Sequence, residues 1–169
     1  MYSNREAIIE KVKNWITSPD NTVEKVSDPG IIPDETIFHV KEKKLQNYLG
    51  QEGKASQFFV AFPSSIEALT ISTYFYFDKS DATGFTILPT EHKIIFANEM
   101  KIPLLTLGLW YTWIPGLENI ESLEMKKLIY FDGFSQNAFS DGLTHVLNGY
   151  EIVSSRYEQF VNYIHRQKK

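Results

Sequence analysis

The chain has 169 residues, of which 43% are hydrophobic, 14% aromatic and 22% charged, and its formal net charge is −4. Such a chain suits one domain that buries roughly two thirds of its unfolded surface, and a charged fraction near the ordinary level of about 25% excludes disorder over most of its length. The absence of cysteine excludes disulfides and thiol nucleophiles and removes the commonest structural zinc ligands, while the negative mean charge offers nucleic acid a weak or repulsive field.

Residues 1–13 alternate charge and apolarity and lack the uninterrupted apolar stretch of a signal peptide. Ser3 and Glu6 have capping-box spacing, which predicts a helix start. Ile8, Val12, Trp15 and Ile16 then share one helical face, expected to lie on a sheet, until Ser18-Pro19-Asp20 stops the helix. Val23 to Ser27 reads as a strand ended by Asp28-Pro29-Gly30. Thr36 to Lys43 follows, with Phe38 and Val40 on one face and Ile37 and His39 on the other. A polar loop from Lys44 to Lys54 leads into Gln57 to Phe62, where Phe58, Val60 and Phe62 alternate inward. The strongest strand is Ala68 to Phe77: Leu69, Ile71, Thr73, Phe75 and Phe77 share one face, and Thr70, Ser72, Tyr74 and Tyr76 the other. Short connections favour antiparallel pairing.

After a polar turn at residues 78–84 and a short extended piece at Phe85 to Leu88, Thr90 is placed to cap a helix from Glu91. That helix should bury some of Ile94, Ile95, Met100, Leu104, Leu105 and Leu107, with Pro103 kinking or dividing it and Gly108 ending it. The longest apolar tract, Ile102 to Ile114, is broken by Pro103, Thr106, Gly108 and Thr112 and is too short to span a bilayer. Trp110 to Ile114 and Lys127 to Phe131 read as strands, separated by a Pro115-Gly116 turn and an irregular or briefly helical stretch. From Ser135 to about His165, Phe139, Leu143, Val146, Tyr150, Val153, Tyr157, Phe160 and Ile164 recur at helical spacing. A helix of about 30 residues is about 45 Å long, so one end should project or pack on another subunit, with Tyr157, Phe160 and Ile164 as interface candidates. Gly142 and Gly149 share a face of it, through close packing on the sheet or through a helix contact in a dimer. Residues 1–169 form a single α+β domain, an antiparallel sheet packed with helices.

The order helix, three or four strands, helix, two strands, long helix resembles the type III secretion chaperone-like fold, and in particular the uncharacterised archaeal proteins placed with it. The residues that carry the resemblance are Ile8-Ile9 with Trp15-Ile16, Asp28-Pro29 before Phe38-His39-Val40, and Leu88-Pro89 with Leu104-Leu105. The resemblance spans most of the chain. It implies a homodimer and, from the secretion chaperones, recognition of extended segments of partner proteins, with no catalytic residues to carry over.

Candidate chemistry is sparse. His39, His92, His145 and His165 do not pair at metal-ligand spacing, and each reads first as a satisfied structural residue, so no metal or cofactor is expected. Ser64-Ser65 lacks a nucleophile context. Asp78, Asp81, Asp132 and Asp141 are accounted for by turns and helix starts, although a carboxylate pair with one raised pKa would permit acid–base work. Lys41, Lys43 and Lys44 are interrupted by Glu42, and Arg166, Lys168 and Lys169 read as a solvated tail, so nucleic acid is not the expected partner. Tyr74 and Tyr76, with Trp110 and Trp113, are either core or, on an uncovered face, a platform of aromatic bodies with polar tips. The functional expectation is a cytoplasmic, homodimeric, non-enzymatic protein that engages a protein segment through an aromatic groove or sheet edge. A small-molecule-binding protein or an enzyme built from turn carboxylates and aromatics is the alternative, and a structural subunit docking through the long helix is a third.

Overall fold

The structure is a computed structural model and describes residues 2–17, 21–26, 36–42, 57–77, 88–116 and 120–167. Helix α1 (Tyr2–Ile16) buries Ile8, Val12 and Ile16 on the face that the sequence marks. Its first turn begins at Tyr2, which places Ser3 inside the helix and not at its cap. At the other end the Thr17 amide and hydroxyl both donate to the Lys13 carbonyl, at 3.0 and 2.7 Å, and the Asn21 side chain donates to Ile16 O at 2.9 Å. Strands β1 (Asn21–Val26), β2 (Thr36–Glu42), β3 (Gln57–Phe62) and β4 (Ala68–Tyr76) follow, then α2 (Thr90–Thr106), β5 (Trp110–Ile114), β6 (Ser122–Tyr130), a 3₁₀ turn at Phe131–Gly133 and α3 (Gln136–Gln167).

The six strands form one antiparallel sheet in the order β1-β2-β3-β4-β6-β5. Backbone bonds from Phe131 N to Glu67 O and from Phe77 N to Glu121 O, both 3.0 Å, bracket the β4–β6 pair with the same sum of residue numbers, as antiparallel register requires. By packing, the chain divides into two compact units, Met1–Ser72 with Leu128–Leu143 and Thr73–Lys127 with Thr144–Lys169.

In the first unit the register sets Phe38 opposite Val60 and Val60 opposite Ile71, so the buried alternation of three strands falls on one face. Arg5 donates to Pro63 O at 2.8 Å and to Phe62 O, tying the start of α1 to the end of β3. Trp15 stacks on Phe134 at 5.3 Å and leans on Phe139 at 5.8 Å. A Cβ on Gly142 would lie 2.7 Å from Ile129 Cδ1, so this glycine exists for close helix-to-sheet packing.

The second unit has an aromatic core, in which Phe77 meets Phe96, Trp113 and Tyr157 at 5.3–6.2 Å. A Cβ on Gly149 would lie 2.5 Å from Leu109 Cδ1 and 3.4 Å from Leu104 Cδ2 and Met125 Sδ. Both glycines of α3 are therefore consumed inside the chain, which removes them as a dimer contact.

Helix α2 departs from expectation at three points. Pro89 occupies the N-cap position and no side chain caps the helix, so Thr90 is its first residue. Pro103 neither divides nor ends it, because it sits in the last turn and the chain stays helical to Thr106. Lys93 and Phe96 are buried with Met100 and Leu104, while Ile94, Ile95 and Leu105 are exposed. Its end is a Schellman motif: Gly108 at φ 64° donates to Leu105 O at 2.9 Å, and Leu109 donates to Leu104 O at 3.0 Å. Lys127 Nζ then donates to Leu107 O and Gly108 O, both at 3.1 Å, and so occupies two further carbonyls there. Strand β6 begins at Ser122, five residues earlier than expected, so residues 122–126 are extended and not irregular. Among the described residues, no helix is long and apolar enough to cross a membrane.

Candidate binding site

In the second unit, β4, β6 and β5 each turn one face to the helices. Phe77, Leu123, Met125 and Trp113 lie on that side. Period two sends Tyr74, Tyr76, Ser122, Glu124, Lys126, Trp110 and Thr112 to the other. Register places Thr112 opposite Glu124 and Trp110 opposite Lys126 across the β5–β6 pair.

Glu124 organises this face. The Tyr74 hydroxyl donates to its Oε1 at 3.1 Å, and Lys126 Nζ donates to its Oε2 at 3.2 Å. Burial, followed by the Glu124 charge and hydrogen bond, holds the Tyr74 hydroxyl well above its ordinary pKa of 10.0. Tyr76 stacks beside Tyr74 at 6.2 Å and is 57% exposed, and Trp110 is 70% exposed. The result is a satisfied polar centre flanked by two open aromatic surfaces.

Of the sequence-based candidates, Tyr74, Tyr76 and Trp110 share this face. Trp113 does not join them: three residues from Trp110 in a strand, it points to the opposite side and packs on Phe96 at 6.1 Å. Glu124 and Lys126 were missed, although Leu123 and Met125 alternating with Ser122, Glu124 and Lys126 is itself a strand signal.

Among the interface candidates, Phe160 is 7% exposed and packs on Phe96 at 5.3 Å, and Tyr157 packs on Phe75 and Phe77. Both rings pack on this chain's own aromatic core, Tyr157 half-buried and Phe160 buried. The side chains of Ile164 and His165 lie outside the described residues.

In the first unit, among the described residues, the histidine is packed and paired. His39 stacks on Phe59 at 4.5 Å, bonds Gln57 Oε1 at 3.0 Å and lies 3.9 Å from Glu24, which also pairs with Lys41 at 3.6 Å. Ser64, Ser65, Asp132 and Asp141 are exposed, whereas Asp78, Asp81, Lys43, Lys44, Lys168 and Lys169 lie outside the described residues. Arg166 is exposed near the end of α3. His92 and His145 each keep a buried Nδ1 without a hydrogen bond among the described residues. No group of three or more potential metal ligands gathers there either.

A family model described as "Uncharacterized conserved protein (DUF2299)" matches residues 8–156. No curated protein matches the sequence. Among solved structures, the chain is similar to an uncharacterized protein from Methanothermobacter thermautotrophicus, with a TM-score of 0.66 and 14% identity over 92% of this chain and 97% of that one. At that identity the likeness speaks to the fold.

Proposed function

The chain belongs to the DUF2299 family of uncharacterized conserved proteins, and from that premise we propose that it is a chaperone-like binding protein that takes up an extended segment of a partner protein along β5. One observation carries this reading. Strand β5, Trp-Tyr-Thr-Trp-Ile, ends the sheet and bears no charge, and its Trp110 is open to solvent. Sheet edges are ordinarily protected by charge, proline or bulges. The opposite edge strand, β1, follows that rule with Glu24 and Lys25. An uncharged edge beside exposed aromatic bodies suits strand addition, in which main-chain bonds supply affinity and alternate side chains supply specificity. The element order also supports grouping the fold with the type III secretion chaperone-like proteins, and a cysteine-free chain supports a cytoplasmic setting.

Selection of ten-residue displayed peptides on the purified protein, followed by amide hydrogen exchange, tests this. Bound peptides should protect Trp110–Ile114 and lose affinity about tenfold or more with Trp110→Ala. Protection confined to other segments, or binding indifferent to Trp110→Ala, defeats the reading.

A further inference from the structure

Helices α2 and α3 enclose a groove of about 390 Å³, within the range of about 300–1,000 Å³ that small-molecule sites occupy. Spacing sets its walls. His92, Ile95 and Glu99 follow one another on α2 at intervals of three and four, and so share a face. Arg156, Gln159, Phe160 and Tyr163 do the same on α3. Phe160 is buried and receives the His92 ring edge-on at 6.4 Å, while Ile95 and Tyr163 add apolar surface that solvent reaches.

The charged groups of this groove are uncommitted. Glu99 and Arg156 belong to opposite walls, yet among the described residues neither makes an ion pair. Arg156 makes one long hydrogen bond, 3.4 Å to Gln159 Oε1. A more open groove of about 560 Å³ adjoins, sharing Arg156 and Gln159 and adding Glu151, which is also outside any ion pair among the described residues. His92 Nδ1 is buried without a hydrogen bond. Buried N–H groups go unpaired less readily than acceptor lone pairs, which assigns the ring proton to Nε2 and leaves a donor on the groove wall.

We propose that this groove binds a small zwitterion with an aromatic body, the chemistry of a free aromatic amino acid. Opposite charges that face each other across a groove without closing are matched by a molecule that carries both signs. An anion alone would meet repulsion from Glu99, and a cation alone from Arg156. The Arg156 guanidinium takes the ligand's carboxylate through charge-assisted hydrogen bonds, with His92 Nε2 as a further donor. Glu99 takes the ammonium. The aromatic body lies against Phe160, Ile95 and Tyr163. This site is carried by the two helices and stands independently of the β5 edge.

Isothermal titration calorimetry of the full chain with L-phenylalanine at neutral pH provides the test. The expected dissociation constant is about 1 mM or lower. Glycine, which has both charges and no body, should bind about tenfold more weakly or worse, as should N-acetylphenylalanine and phenylalaninamide, which each lack one charge. Glu99 and Arg156 are exposed, so Glu99→Gln and Arg156→Gln should leave the thermal transition unchanged. Each should cost phenylalanine about tenfold in affinity. Glu99→Gln should also abolish the preference for phenylalanine over its N-acetyl form, and Arg156→Gln the preference over the amide. No binding of phenylalanine up to about 10 mM, equal affinity for the blocked forms, or affinity indifferent to both substitutions overturns the proposal.

Discussion

Tyr74 holds one oxygen of Glu124 while Lys126 holds the other. Tyr74→Phe leaves Oε1 without its donor on a half-exposed face, and the expected loss is about 0.5–1.5 kcal/mol, read by urea denaturation at neutral pH. Its pH dependence has a definite sign. The folded-state pKa is raised, chiefly by burial, so the unfolded tyrosine ionises first. The contribution is fully present below the ordinary pKa of 10.0 and is lost as pH rises through the folded value. Tyr150, raised by burial and then by Glu151, acts in the same direction. Stability should begin to fall near the ordinary pKa of 10.0 and keep falling as the pH rises above it, less steeply in Tyr74→Phe. Gly149 sets two effects against each other. Alanine would gain about 1 kcal/mol of helix propensity. Its Cβ would meet Leu109 at 2.5 Å, with Leu104 and Met125 at 3.4 Å, and overpacking costs about 1–3 kcal/mol. Leu109 and Leu104 are themselves buried and have little room to yield, so Gly149→Ala should lower the melting temperature.

At the scale of elements, legibility tracked periodicity. Strand β4 was plain because ten residues alternate without interruption, and Tyr74 and Tyr76 followed from the same parity. Parity also separates Trp110 from Trp113, which the grouping of tryptophans by proximity overlooked. The first half of β6 was missed because Glu124 and Lys126 supply its polar phase, and charges in a short run resemble a loop. Helix α2 was legible as a helix but not in its orientation. With apolar residues around most of its circumference, period 3.6 cannot choose between the Ile94-Ile95 side and the Phe96 side. Only the strands that receive Phe96 make that choice. The end of α2 yields a further prediction. Lys127→Met removes the donor to Leu107 O and Gly108 O and should cost about 1–3 kcal/mol, with faster hydrogen exchange at Leu107, Gly108 and Leu109.

For the whole molecule, the contrast between the two sheet edges is the feature that sequence patterning alone could not rank. Both strands were visible, but which ones end the sheet is set by topology: β6 inserts between β4 and β5. Thr112→Lys would give β5 the protection that β1 already has. It should change stability by no more than about 0.5 kcal/mol, while lowering peptide uptake and any tendency to aggregate, checked by denaturation and light scattering.

The clamp at the end of α2 has an energetic corollary. Gly108, Leu109 and the Lys127 ammonium tie the end of the helix to the start of the strand that carries Trp110. A segment taken up at the β5 edge, as proposed, is thermodynamically linked to this clamp whenever occupancy of the edge shifts it. Reciprocity then fixes the magnitude: the factor by which a closed clamp changes affinity for the segment equals the factor by which the segment favours the closed clamp. Loosening the clamp with Lys127→Met should change peptide affinity by that factor.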